Sequence, residues 1–494
     1  MTKSSRAAFV VLGLLFFAGG AASAASVYET YFTGKALRFD LYQIGEAKDE
    51  FITVRRIVEE PVWAGNPDRL IPPFDYGRYA IKAYDLASNR LLFQHGFETM
   101  FGEYKTTTPA IDGLRRVFEL SLRVPEPRRP LRIVIEMRDK DNVFHPLLTT
   151  TVDPADIHIV KETPGLGGTV IEIQKTGRPE DRVDFVFLSE GYTAEDAAKF
   201  KADVERMTAY LFTVEPYRST RDRFNIMAVF EPSPERAMDE PRQGIFKATN
   251  LDSSFNVFDL DRYMLIEENH RMHRMAAQVP YDAIVVLVNS ARYGGGSICF
   301  DYCVTTTDHP ASPQVFIHEL GHSFAGLADE YYASEVAYND FYPKGVEPIE
   351  PNITALLDPE NIKWKDLLTP GIAVPTPYGK DEIDVLQEER RTNFKASREK
   401  IEAAKAKGDS GGAAALEKKS KARDAEIQAG IDKIRKQYAG LIDQVGAFEG
   451  AGYASRGLYR PQIYCIMIGN PKNEFCRVCQ KAIRDMIDFY AGTE

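Results

Sequence analysis

Several things are scarce in this chain of 494 residues, and each scarcity closes off a class of function. Positive charge is in deficit: 61 Lys and Arg face 72 Asp and Glu, giving a net −11 and a pI near 5.5. No basic domain offsets that acidity, so a nucleic-acid partner, which needs clustered cations, is excluded. Beyond residue 24 no stretch is long and apolar enough to span a membrane. Ser189-Glu190 ends a strand-like run but has no Gly-x-Ser-x-Gly elbow around it, so it reads as a turn rather than a nucleophile. Cysteine is rare and odd in number, 5 in all, which leaves at least one unpaired within the chain. Histidine numbers only 8. What is present is an ordinary globular composition, 44% hydrophobic and 27% charged, with length for two or three domains.

Two of the 8 His fall in His318-Glu319-Leu320-Gly321-His322, within PQVFIHELGHSFAGLADEYY from Pro313 to Tyr332. Residues four apart share one face of a helix. An H-E-x-x-H pattern on a helix thus offers two imidazoles to one zinc ion, with Glu319 beside them as a base toward water. With so few histidines the pattern is hard to reach by accident, and the apolar Val315, Phe316 and Ile317 argue against a solvated helix. Pro313 suits the first helical turn, with Ser312 as N-cap. Gly326 can end the helix in the left-handed conformation and turn the chain back toward the metal. A third ligand is needed. The metzincin spacing H-E-x-x-H-x-x-G-x-x-H would put glycine at 325 and histidine at 328, where this sequence has Ala325 and Ala328. The carboxylates that follow are the candidates, Asp329 first and Glu330 second.

HELGHSFAGLADEYY resembles the signature of the igalysin family, the immunoglobulin-A peptidase type of zinc metalloendopeptidase. SEGYT (Ser189 to Thr193), RYGGGS (Arg292 to Ser297), FEGAGY (Phe448 to Tyr453) and YRPQIYCIM (Tyr459 to Met467) are similar to that family in the same order. The resemblance covers almost the whole mature chain. It implies an N-terminal β-sandwich followed by a metzincin-like α/β zinc protease domain. Tyr464-Cys465-Ile466-Met467 resembles the Met-turn beneath the metal in metzincin-like proteases, with Met467 packed under the histidines and not coordinating. The family name carries no warrant that immunoglobulin A is the substrate.

Taken in order, residues 1–24 read as a secretory signal peptide. Lys3 and Arg6 start it, Ala7 to Phe17 form its apolar core, and Ala22-Ser23-Ala24 is the cleavage site. The mature chain is therefore expected to be secreted or periplasmic. Residues 27–154 alternate short β-rich runs with Gly, Pro, Asn and Asp, which predicts the β-sandwich; Trp63 and Phe97 read as core residues of it, or else as surface aromatics for binding. Pro154 to Gly168 is a linker, and residues 165–494 form the catalytic domain, where strands alternate with helices. Gly295, Gly296 and Ser297 read either as an edge strand onto which substrate backbone adds, or as a plain glycine hairpin. Residues 384–444 are rich in Ala, Glu, Lys and Arg around GDSGG, which predicts a charged helical hairpin. The family pattern lacks it, so it is an insert: a solvated arm, or a gate or partner-binding element. Tyr453 and Tyr459 are candidates to stabilise an oxyanion. Cys465 is expected to pair with Cys476 or Cys479, and Cys299 with Cys303. Cys476-x-x-Cys479 would make a structural zinc motif only with two further ligands.

The sequence thus predicts a mixed α+β chain with a helical-hairpin insert, acting as a secreted zinc endopeptidase on protein or peptide. Zinc is held by His318, His322 and Asp329, with Glu330 the alternative. Two other readings remain: a zinc amidase acting on cell-wall peptide, and a secreted adhesin that keeps a metal without turnover. Glu319 speaks against the second, since a binding protein needs no base.

Overall fold

The computed structural model describes residues 26–161, 167–332, 341–469 and 473–493. The expected signal peptide lies outside them. Among the described residues no helix is long and apolar enough to cross a membrane.

The N-terminal region builds two antiparallel sheets. Glu50–Glu60, Phe32–Gly45 and Arg116–Pro127 form the first, with Phe32–Gly45 in the middle. Leu91–Phe97, Tyr79–Asp85, Leu131–Arg138 and Phe144–Val152 form the second, in that order. Successive strand residues point to opposite faces, and the inward sets meet in one core. Phe39 and Leu41 of the first sheet bury with Ile81, Ile133 and Ile135 of the second. Trp63 packs edge-on against Phe93 and Phe97 stacks on Tyr79, so both aromatics serve that core.

The rest of the chain is organised on a six-stranded sheet. Its order is Gly295–Ile298, Tyr302–Thr306, Ala283–Val288, Val183–Glu190, Phe224–Phe230, Thr169–Gln174. The four inner strands are parallel and each outer strand is antiparallel to its neighbour. Val183–Glu190 and Ala283–Val288 are buried at every position, as strands covered on both faces must be. Alternation sorts their side chains. Phe185 and Phe187 face the helices Ala197–Leu211, Ser312–Ala325 and Arg477–Ala491, whereas Val186 and Leu188 face Met264, Met272 and Met275. Met100 and Phe101 of the N-terminal region join that second face, so the two parts share a core. Ser189 and Glu190, expected in a turn, finish the strand instead, and the turn begins at Gly191, whose φ is +66°. Buried Glu190 accepts the Leu251 and Ser253 N–H groups at 3.0 and 3.1 Å and so fastens a loop rather than a substrate.

Lys380–Ala406 and Ser410–Gln437 are two long helices packed as a hairpin. Gly408 turns between them at φ +74°, and the Asp409 carboxylate caps the second helix through the Gly412 N–H. Ile383, Ile427 and Ile431 make a small core at its root, and further out the helices are joined by exposed ion pairs such as Arg390–Asp424 and Lys405–Glu417.

Candidate active site

The helix Ser312–Ala325 follows the strand Tyr302–Thr306 and lies under a cleft of about 750 Å³. Pro313 sits in its first turn as expected, but Ala311, not Ser312, is the N-cap, and no side chain caps it. Burial of Val315, Phe316, Ile317, Leu320 and Phe324 holds the helix instead. Its C-terminal end is Gly326 at φ +60°. The Gly326 N–H reaches the His322 carbonyl at 3.0 Å and the Leu327 N–H reaches Gly321 at 3.2 Å, closing the last turn. A Cβ at 326 would lie 2.7 Å from the Phe300 ring.

Past that break the chain doubles back and brings Asp329 to the histidines. Asp329 Oδ1 lies 3.1 Å from His318 Nε2 and 3.4 Å from His322 Nε2, and the two Nε2 atoms are 3.2 Å apart. The other ring nitrogens are engaged: His318 Nδ1 donates to the Ile466 carbonyl at 3.1 Å and His322 Nδ1 to Leu327 at 2.5 Å. Donation from Nδ1 leaves each Nε2 lone pair facing inward. Asp329 Oδ1 is buried and has no hydrogen-bond donor. Three electron-pair donors therefore converge on one point, which is the arrangement a cation satisfies. Donors ~2.1 Å from a tetrahedral ion lie ~3.4 Å apart, so the spacing fits. Burial alone would push His318 down, but the negative Asp329 carboxylate beside it outweighs burial and, with no cation bound, raises it to about 9. Burial likewise works against the Asp329 carboxylate, yet the two imidazoles hold it far below its ordinary range.

Tyr453 supports the carboxylate. Its hydroxyl donates to Asp329 Oδ2 at 2.6 Å, and the Gly452 N–H donates to the Asp329 carbonyl at 2.9 Å. Tyr453 thus touches the donor set rather than the open cleft alone. Tyr459 does not belong to the site. Its main chain pairs with Glu449 and Thr354, and its ring packs toward the hydrophobic core, because strand alternation in Ala454–Arg460 turns it away. Tyr331, not singled out from the sequence, stacks parallel to His318 at 6.4 Å between centroids. Asn352 was also missed. It is fully buried, brackets the main chain of Ala328 on both sides, and donates to Glu330 Oε1 at 3.0 Å. No local signal marks it, since it lies in an irregular loop.

Glu319 faces the cleft, and the Ser297 hydroxyl donates to its Oε2 at 2.8 Å. Gly295–Ile298 is the outermost strand, but its edge is bridged once, between Gly295 and Tyr263. The glycines answer to internal packing: a Cβ at 295 would lie 2.4 Å from Val315, and one at 296 would lie 2.2 Å from the Met264 carbonyl. Met467 is fully buried with its sulfur against Gly321, where a Cβ would lie 2.9 Å away. That contact explains the glycine between the two histidines.

Glu330 points away from the histidines. Its N–H donates to the Met467 carbonyl at 2.9 Å, and its carboxylate enters a buried group with Cys465, Cys476 and Cys479. None of the five cysteines is in a disulfide, contrary to the pairings expected from their number. Cys303 is buried in the sheet core while Cys299 lines the cleft, and Cys465 and Cys479 keep their sulfurs 3.7 Å apart.

The cleft is walled by distant segments: Glu98 and Glu103 from the N-terminal region, Tyr342 and Tyr464 from loops, and Gln387 and Arg435 from the root of the helical hairpin. No curated protein matches the chain. Residues 27–149 match the model of the Peptidase M64 N-terminus, and residues 171–487 match that of IgA Peptidase M64. The second match spans more than half of the chain and contains every residue of the donor set, so the chain belongs to the IgA Peptidase M64 family and is a peptidase.

Proposed function

We propose that the chain is a secreted zinc endopeptidase. On this reading residues 27–154 form a β-sandwich ahead of a metzincin-like catalytic domain, 165–494, into which 384–444 is inserted. The observation that carries it is the convergence of His318 Nε2, His322 Nε2 and Asp329 Oδ1 beside an open cleft, with Glu319 on the cleft side. These three residues would hold the ion. Bound there, zinc would act as a Lewis acid toward the scissile carbonyl and make water acidic enough to attack near neutral pH.

The remaining work falls to the chain. Glu319 takes the proton of the attacking water on its carboxylate and passes it to the nitrogen of the departing amine. The Ser297 hydroxyl, 2.8 Å from Oε2, fixes the rotamer of that carboxylate. Tyr453 keeps Asp329 turned toward the histidines. The main-chain acceptors at Ile466 and Leu327 hold both imidazoles in the tautomer that presents Nε2. Met467 braces the helix at Gly321. A peptide in the cleft passes the Gly295–Ser297 wall; because Tyr263 already bridges Gly295, strand addition there is limited to the segment beyond it. Export is read from residues 1–24, and immunoglobulin A is not taken as the substrate.

Glu319→Gln is the test, assayed on casein and a peptide library alongside metal analysis. The variant should retain its metal and lose turnover by ~10²–10⁴-fold, the range of a general base. Retained turnover within tenfold of the parent would remove Glu319 from that role. Cleavage of cell-wall peptide but not of protein by the parent would favour the amidase reading. Metal without turnover on any of these would favour the adhesin.

A further inference from the structure

The second group of donors lies behind the first. Cys465, Cys479 and Glu330 are fully buried, and Cys476 nearly so. Their ligand atoms all lie within 4.8 Å of one another. Cys465 and Cys479 sulfurs are 3.7 Å apart, and Glu330 Oε1 lies 3.1 Å from Cys479 Sγ and 3.7 Å from Cys476 Sγ. A disulfide would need ~2.05 Å between sulfurs. Bonds of ~2.3 Å to sulfur and ~2.0 Å to oxygen place tetrahedral donors ~3.5–3.8 Å apart. The two 3.7 Å separations fall in the second range, the 3.1 Å one lies about 0.4 Å below it, and none approaches a disulfide's.

Two further features fit an ion. Glu330 Oε2 is buried with no hydrogen-bond partner, although its neighbour Oε1 is held by Asn352. The Cys476 N–H points at Cys465 Sγ at 3.2 Å, and the Cys479 N–H at Cys476 Sγ at 3.4 Å. Main-chain donors aimed at sulfur favour thiolate over thiol. One disulfide would satisfy two sulfurs and leave the third with a buried, half-partnered carboxylate.

The geometry points to a second, structural metal site, in which Cys465, Cys476, Cys479 and Glu330 hold one tetrahedral zinc ion. Soft thiolates with one carboxylate suit zinc, and four protein donors close the site to substrate. Binding releases the thiol protons to solvent. The site joins three segments that the cleft depends on. Glu330 follows Asp329 directly, Cys465 begins the turn that carries Ile466 and Met467, and Cys476 and Cys479 open the closing helix Arg477–Ala491. A metal here fixes Asp329 and the His318 acceptor at Ile466 in one step. The inference does not require that the cleft be catalytic.

The test counts metal and thiols on the full chain. The parent, grown with zinc, should carry two zinc ions, and His318→Ala with His322→Ala together should leave one. In that double variant, replacing zinc by cobalt(II) should give an intense near-ultraviolet thiolate-to-cobalt band. Adding Cys476→Ser should abolish the band. Should the serine variant fail to fold, Glu330→Gln and the band of the double variant still decide. Denatured in chelator without reductant, the parent should expose all 5 thiols. A single zinc that vanishes with the two histidines, or a thiol count two short of the full number, overturns the proposal, the latter in favour of a disulfide.

Discussion

Two helical regions of this molecule are built on opposite terms. In the helix Ser312–Ala325, nine of 14 residues are buried. It has no side-chain cap at its start, and it carries glycine and two histidines, which are weak helix formers. In the hairpin, Lys380–Ala406 buries two residues of 27 and Ser410–Gln437 three of 28. These are strong helix formers laced by ion pairs along exposed faces. Packing holds the first helix against its own propensities, whereas the hairpin needs little help from its neighbours. The difference says where sequence changes matter: the donor set stands on the helix whose local preferences are overruled, so its supports lie elsewhere in the chain.

The sharpest way to test that dependence is to remove a support that the helix does not contain. Asp329→Ala should strip the cleft of its metal, measured by zinc titration, because it deletes one of three donors. Tyr453→Phe keeps all three donors and loses only the 2.6 Å hydrogen bond to Asp329. A change of that kind lowers metal affinity by ~10–100-fold. Glu330→Ala removes no donor of the cleft ion, since Glu330 faces the cysteines, so it should weaken cleft metal binding less than Asp329→Ala and only through the position of Asp329. If Glu330→Ala empties the cleft while Asp329→Ala does not, the donor set is wrong by one residue.

Gly326→Val follows in size. A β-branched side chain at φ +60° is strained, and its Cβ would meet the Phe300 ring at 2.7 Å. The expected cost is at least ~2 kcal/mol, read as a lower melting temperature together with weaker zinc binding. A variant that melts lower but binds zinc as the parent does would separate the break from the site. Gly321→Ala should cost ~1–3 kcal/mol by overpacking against Met467. The matching change in the hairpin, Gly430→Ala, places its Cβ no nearer than 3.2 Å, from the flexible end of Leu386, and should move the melting temperature much less.

How much of this was legible in the sequence follows from the same contrast. The two histidines, Glu319 and Gly326 are encoded by spacing within one helix and its end, and spacing is visible along the chain. Asp329 was legible because an unbroken helix could not deliver a third donor. Ser297 and Tyr453 were legible as candidates, for a substrate edge and an oxyanion, but not as the partners of Glu319 and Asp329 that they are, and nothing near Asn352 in sequence marks it at all. Tyr453 and Tyr459 looked alike as neighbours in one tyrosine-rich stretch. Only the tight turn at Tyr453, with φ +64°, and the strand pairing of Tyr459 with Glu449 separate them. The cysteine pairings were inferred from number and compartment, and number carries no geometry. The strand pattern was clear where strands are fully buried, as in VDFVFLSE, yet its last two residues read as turn because Ser and Glu are rarely buried.

The arm of the hairpin offers the smallest expected effect, and set against its root it gives the finest test of the comparison. Composition places its start at Asp384, but the helix begins at Lys380, and its root is part of the cleft. The Asp384 carboxylate accepts the Tyr332 hydroxyl at 2.9 Å, and Ile383, Gln387 and Arg435 line the wall. Charge misled here, since a charged helix reads as solvated all round while one short face at its base is not. Two truncations divide the root from the arm. Removing residues 391–423 cuts above the small core of Ile383, Ile427 and Ile431. Helices pack 8–10 Å apart, so a linker of about four Gly and Ser residues at ~3.3 Å each spans the gap. This variant should melt within a few degrees of the parent and keep its turnover within about twofold, because it loses exposed ion pairs and, of the buried residues, only Ala413. Removing residues 384–444 takes away the wall and the Tyr332 partner as well. It should fold on the six-stranded sheet but lose turnover, with a rise in KM larger than the fall in kcat, since binding surface is removed and the donor set is not. Equal loss in both truncations would place a function in the tip. Full activity in both would make the root, like the arm, dispensable to the cleft.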